Sequence, residues 1–223
     1  PFVWLPGADY EKAVSKLFDS IFLNSGQTCT AFSRLLVPEE DKKTVEALLL
    51  KHIPDYIVGD PSDPKTKIGP VSSKAQFEKI ASYLKLGLEE GAKLLAGEIP
   101  TDYSHGYYIK PAIFTDVKNS MRIAREEIFG PVLCLITYKT IEEAIAIAND
   151  TPYGLNAAVF GNKQKAIEVA KQIKAGNVYI NDAPRDVTAP FGGYKQSGIG
   201  REGGFAGLLE FTQPNAIFAR SSF

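Results

Sequence analysis

Between residues 131 and 180, apolar runs and helical patterns alternate across short connections, and this restricts the fold more than any other feature of the chain. Val132–Tyr138 is a continuous apolar run of the length of a buried strand. Thr140-Ile141-Glu142-Glu143 reads as a capping box, followed by helical spacing through Ile141, Ala144, Ile145 and Ala148. Residues 156–160 read as a strand, 163–174 as a helix stopped near Gly176, and 178–180 as a strand. Such a β-α-β-α-β order predicts an α/β fold, a mainly parallel sheet flanked by helices. In sheets of this kind, sites are expected outside the carboxyl ends of the strands.

The first half carries the same signals less regularly. Residues 10–22 place Val14, Leu17, Phe18, Ile21 and Phe22 on one helical face, residues 33–37 read as a strand, and 41–53 as a second helix. His52 is expected to pack on that helix's apolar face with Leu48 and Leu49. Ser73-Lys74-Ala75-Gln76 is another capping box, opening a helix that buries Phe77, Ile80, Ala81, Leu84 and Leu88. Residues 93–96 and 107–114 read as strands, the latter interrupted by Pro111 and so placed at an edge or a bend.

Charge and composition exclude several classes of function. The net charge is −1 and no long basic run occurs, which disfavours nucleic acid and anionic membranes as partners. No apolar run approaches the ~20 residues of a membrane span. Neither His52 nor His105 has metal-ligand spacing to a cysteine or to the other histidine, so no metal is expected. Two cysteines in 223 residues need no disulfide, and a reducing, cytoplasmic compartment is the simplest setting. The chain opens on Pro1-Phe2-Val3-Trp4-Leu5, without methionine or a charged leader, and is expected to be a fragment or a processed product.

Chemistry points first to Cys29. It follows an amphipathic stretch and sits in a small, polar loop, Asn24-Ser25-Gly26-Gln27-Thr28-Cys29, where a thiol can be exposed and a nearby helix end can help to ionise it; taken alone, a cysteine is more often a buried small hydrophobe. Cys134, inside Pro-Val-Leu-Cys-Leu-Ile, is a core position instead. In Arg125-Glu126-Glu127-Ile128-Phe129-Gly130-Pro131, two carboxylates stand beside an aromatic residue. They are either a solvated charge pair or acceptors for a ribose diol, with Phe129 packing on something flat. The glycine-rich stretch 190–204 contains G-x-G-x-x-G at Gly198, Gly200 and Gly203, but no strand leads into it and no acidic residue follows Glu210. It is therefore not a dinucleotide fingerprint but a tight loop from which Phe191 can project into a pocket.

Taken together, these segments resemble the aldehyde dehydrogenase superfamily. Residues 24–29 resemble its catalytic-cysteine signature, 127–131 its cofactor-ribose motif, 189–202 its late glycine-rich block, and Ile68-Gly69-Pro70-Val71 a lesser motif. The resemblance implies that Cys29 attacks an aldehyde, Glu127 holds the ribose of NAD or NADP, Phe129 borders the nicotinamide and Phe191 lines the substrate entrance. It also implies a division into a catalytic domain at 1–196, a helical segment at 197–211 that packs on a nucleotide-binding domain, and an oligomerisation strand at 212–223. The family's N-terminal NAD-binding half has no counterpart in these residues. The chain is therefore expected to be the C-terminal catalytic domain alone, to form homo-oligomers and to turn over little by itself. A cysteine-dependent acyl-transfer or hydrolase domain and a non-catalytic interaction module remain the alternatives.

Overall fold

A computed structural model describes residues 1–220. Its core is one seven-stranded sheet built from β1 (Phe2–Trp4), β2 (Arg34–Pro38), β3 (Lys93–Ala96), β4 (Ala112–Thr115), β5 (Val132–Tyr138), β6 (Asn156–Phe160) and β7 (Asn177–Ile180). The spatial order is β3-β4-β5-β2-β1-β6-β7, and every pairing is parallel except β3 with β4. The short opening strand β1, which the periodicity does not reveal, lies near the middle, with all three residues buried.

Strand alternation divides the core in two. Phe2, Trp4, Leu35, Val37, Leu133 and Leu135 point to α1 (Tyr10–Ile21) and α2 (Lys42–His52). Val3, Leu36, Cys134, Ile136 and Val159 point to α3 (Lys74–Glu89), α5 (Ile141–Asn149) and α6 (Lys163–Ala170). Both faces of the sheet are thus covered, as a parallel sheet requires. A one-turn helix, α4 (Arg122–Arg125), precedes β5, and α7 (Gly204–Leu209) follows the glycine-rich loop.

Several boundaries differ from expectation for identifiable reasons. The strand expected over 107–114 begins only at Ala112, because Pro111 has no N–H to give to a ladder. The helix expected over 163–174 ends at Ala170. Leu88 lies on the exposed side of α3, and Gly87 takes the buried place against Phe114 and Ile123. His52 does not simply pack on the apolar face: its Nε2 meets Glu11 Oε1 at 2.8 Å. The predicted N-caps do form, with Ser73 Oγ accepting from Gln76 N and Thr140 Oγ1 from Glu143 N, both at 3.2 Å. Beyond α7, residues 212–220 are exposed and form no helix or strand within the single chain, and residues 221–223 of the expected oligomerisation strand lie outside the described residues. Among the described residues no helix is long and apolar enough to cross a membrane.

Candidate active site

The largest change from expectation concerns which end of the sheet carries the site. A cleft of about 290 Å³ opens at the amino ends of β2, β5 and β6, not outside their carboxyl ends. Its walls are the loops that feed these strands: the Cys29 loop into β2, residues 123–130 into β5, and 151–155 into β6. The glycine-rich segment also returns to this end. Tyr194 N donates to Gly154 O at 2.8 Å and Ser197 Oγ accepts from Gly154 N at 3.0 Å.

The Cys29 loop is wound tightly. Asn24, Ser25 and Gly26 all have positive φ, at 52°, 57° and 75°. Left-handed backbone costs a non-glycine residue about 1 kcal/mol or more, so neighbours must hold Asn24 and Ser25 there. Asn24 Nδ2 donates to Gln27 O and Gln27 Nε2 donates to Asn24 O, both at 3.1 Å. Ser25 Oγ donates to Gly69 O at 2.8 Å, and Gln27 Oε1 accepts from Ser72 N at 2.9 Å. The Gly69–Ser72 stretch, which includes part of the lesser sequence motif, is therefore a brace for the cysteine loop. The outcome is an exposed, free Cys29 on the cleft wall.

The loop into β5 is braced from the same side. Phe129 has φ +60°, and Gln76 Nε2 donates to the carbonyls of both Ile128 and Phe129, at 3.0 and 2.8 Å. Gln76 thus spends its side chain on this loop and does not close the second half of a capping box. The two adjacent carboxylates separate by role. Glu126 receives Arg122 at 2.7 and 3.0 Å and Tyr83 Oη at 2.6 Å, and these donors pull its carboxyl down to about 2. Glu127 is exposed on the cleft, and among the described residues its carboxylate has no partner; Lys79 Nζ takes only its backbone carbonyl, at 2.8 Å.

Cys29, Glu127 and Phe129 therefore line one cleft. Phe191 lies apart from it. This residue pairs with Glu202 in an isolated bridge, and the Arg185 guanidinium covers its ring at 4.5 Å. Cys134 is buried, and burial pushes its thiol up to about 12. Arg34 also borders the cleft but was not evident from sequence. It is almost fully buried and donates to Asn119 Oδ1, Ile147 O and Ala148 O at 2.9, 3.1 and 3.0 Å, and burial lowers its pKa to about 10. Asn156, at the start of β6, is a second such residue.

The sequence profile of the aldehyde dehydrogenase family matches residues 1–217. The chain belongs to the aldehyde dehydrogenase family. Among solved aldehyde dehydrogenases, AldC of Pseudomonas syringae, in a variant complexed with NAD⁺ and octanal, superposes with a TM-score of 0.94 at 45% identity, covering 100% of this chain and 47% of that one. A Mycobacterium tuberculosis aldehyde dehydrogenase complexed with NAD⁺ gives 0.91 at 42% identity, covering 95% and 44%. A curated Staphylococcus saprophyticus protein, named as a candidate aldehyde dehydrogenase, is 44% identical over 220 residues. That match covers 97% of this chain and 46% of the relative, so the chain spans about half the length of the curated relatives it matches.

Proposed function

We propose that this chain carries the nucleophile and part of the cofactor site of an NAD(P)⁺-dependent aldehyde dehydrogenase, with Cys29 as the nucleophile. The observation that supports this most is the meeting of Cys29, Glu127 and Phe129 on one cleft, in a chain of this family. The Cys29 thiolate adds to the aldehyde carbonyl carbon. A C–S bond forms and the carbonyl electrons move to oxygen, giving a thiohemiacetal oxyanion that the backbone N–H of Cys29 steadies. Collapse of that species with loss of hydride leaves a thioester on Cys29, from which water releases the carboxylic acid.

The residues present fit a nicotinamide cofactor. Glu127 offers a free, exposed carboxylate able to accept from both hydroxyls of a ribose diol, and Phe129 offers a half-exposed ring whose backbone Gln76 holds still. Glu127 would hold the nicotinamide ribose and Phe129 would border the ring. When bound, NAD(P)⁺ supplies the hydride acceptor. The solved relatives complexed with NAD⁺ favour this class of cofactor. Phe191, on the glycine-rich loop, is assigned to the outer part of the aldehyde entrance. The exposed tail at 212–220 is assigned to pairing with a second copy.

The test is octanal-dependent formation of NADH. The 223-residue chain alone gives no appreciable turnover, because it covers less than half of its solved relatives. Joined to a nucleotide-binding half from such a relative, it turns over, and Cys29→Ser lowers the rate by about a thousandfold or more without altering the fold. A Cys29→Ser protein that kept its rate would refute the assignment.

A further inference from the structure

Asn156 and Asn177 stand opposite each other in register at the amino ends of β6 and β7. Each gives its amide to the loop beside a motif residue. Asn156 Nδ2 donates to Thr30 O at 2.8 Å, one residue after Cys29, and Asn177 Nδ2 donates to Pro190 O at 3.3 Å, one residue before Phe191. Facing a carbonyl fixes which end of each amide points where, so the oxygens must point away. Both Oδ1 atoms are buried, and among the described residues neither has a partner.

This is an expensive arrangement for a fold. A buried amide oxygen without a donor weakens stability, so at the head of β6 an apolar side chain would serve the core at least as well. What an apolar residue cannot supply is the N–H to Thr30. The other hydrogen bonds of residues 28–31 are local: Thr28 Oγ1 donates to Leu23 O at 3.3 Å, and Ala31 N donates to Thr28 O and Ser33 N to Ala31 O, both at 3.1 Å. The next anchors are Phe32 N, donating to Ser20 Oγ of α1, and Ser33 O, accepting from Cys134 N of β5. Among the described residues, Asn156 makes the side-chain hydrogen bond from the sheet to residues 28–31, and it borders the same cleft as Cys29.

We infer that Asn156 is a positioning residue for the nucleophile: its amide anchors the Thr30 carbonyl to β6 and so holds the Cys29 thiol toward the cleft. The inference rests on the reading of Cys29 as the nucleophile. It adds a residue from a distant strand, 126 positions along the chain from Thr30.

The experiment follows iodoacetamide alkylation of the 223-residue chain by peptide mass spectrometry across pH, together with thermal unfolding. In the wild-type chain Cys29 is modified and Cys134 is not. Asn156→Ala slows Cys29 modification roughly fivefold, about the factor one net hydrogen bond is worth, with the unfolding midpoint little changed, since losing the bond to Thr30 and removing the unpaired Oδ1 act in opposite directions. Asn156→Asp sets a carboxylate against the Thr30 carbonyl, slows it further and moves the pH midpoint of Cys29 alkylation upward. Asn177→Ala, which removes an equally buried amide tied to Pro190, leaves Cys29 unaffected. Superimposable wild-type and Asn156→Ala profiles in folded protein, or equal slowing by Asn177→Ala, would overturn the inference. If Asn156→Ala fails to fold, Asn156→Ser takes its place with the same expected direction. Failure of the wild-type chain to label at Cys29 would instead strike the nucleophile assignment itself.

Discussion

Gly26 lies backbone to backbone on Gly130, so close that a Cβ on Gly26 would overlap the carbonyl group of Gly130. This crossing joins the loop that carries Cys29 to the loop that carries Glu127 and Phe129, and it fixes their separation without any side chain. Gly26 also has φ +75°, a region costly for any other residue. Gly26→Ala therefore forces the two loops apart. It is expected to lower stability by about 3 kcal/mol or more, measured by urea unfolding. An alanine variant as stable as the wild type would show that the loops do not cross as described.

Arg34 makes a second, independent prediction. Its guanidinium is held by the carbonyls of Ile147 and Ala148 at the end of α5, and by Asn119, which also donates to Asp150 Oδ2 at 2.7 Å. Removing the fork leaves the buried Ala148 carbonyl without its guanidinium donor and takes a donor from the half-buried Ile147 carbonyl and Asn119 amide oxygen. Arg34→Met is expected to cost about 2–4 kcal/mol in urea unfolding. Arg34→Lys recovers only part, because one ammonium cannot span the three acceptors. An unchanged midpoint for Arg34→Met would remove this buried cation from the account.

Acid sensitivity should trace in part to Glu126. Its folded carboxyl lies near 2 against an ordinary 4.5, drawn down by Arg122 and Tyr83. A depressed carboxyl stabilises the fold above its unfolded value, and that contribution disappears as pH falls from about 4.5 through about 2. The ion pair with Arg122 is solvent-exposed, so Glu126→Gln should cost less than about 1 kcal/mol at neutral pH. The variant's stability should fall less steeply than the wild type's across that acid window. Parallel acid limbs for the two proteins would contradict the role given to this pair.

Local patterns predicted local structure well. The apolar run at 132–138 became β5 with the same bounds, and the caps at Ser73 and Thr140 formed because each is a contact between residues three apart. Cys29, Glu127 and Phe129 were marked as candidates by short motifs that resemble those of the aldehyde dehydrogenase family, and they line one cleft. Three-residue β1 gave no periodicity to detect. The end of the sheet on which the site opens was also hidden, because it depends on how loops return. Gly176, just ahead of β7, lies against the Gly192 carbonyl, which draws the glycine-rich loop back to the amino ends. Gln76, Arg34 and Asn156 act on partners 52, 113 and 126 residues away, separations that no window along the chain can register.

Competition between an aldehyde and an alkylating agent tests most directly whether Cys29 is a carbonyl-reactive thiol facing the cleft. With the 223-residue chain at neutral pH, octanal added before iodoacetamide should slow modification of Cys29 in a concentration-dependent manner, while buried Cys134 stays unmodified with or without aldehyde. Cys29 labelling indifferent to octanal, or matched by labelling of Cys134 in folded protein, would contradict the account.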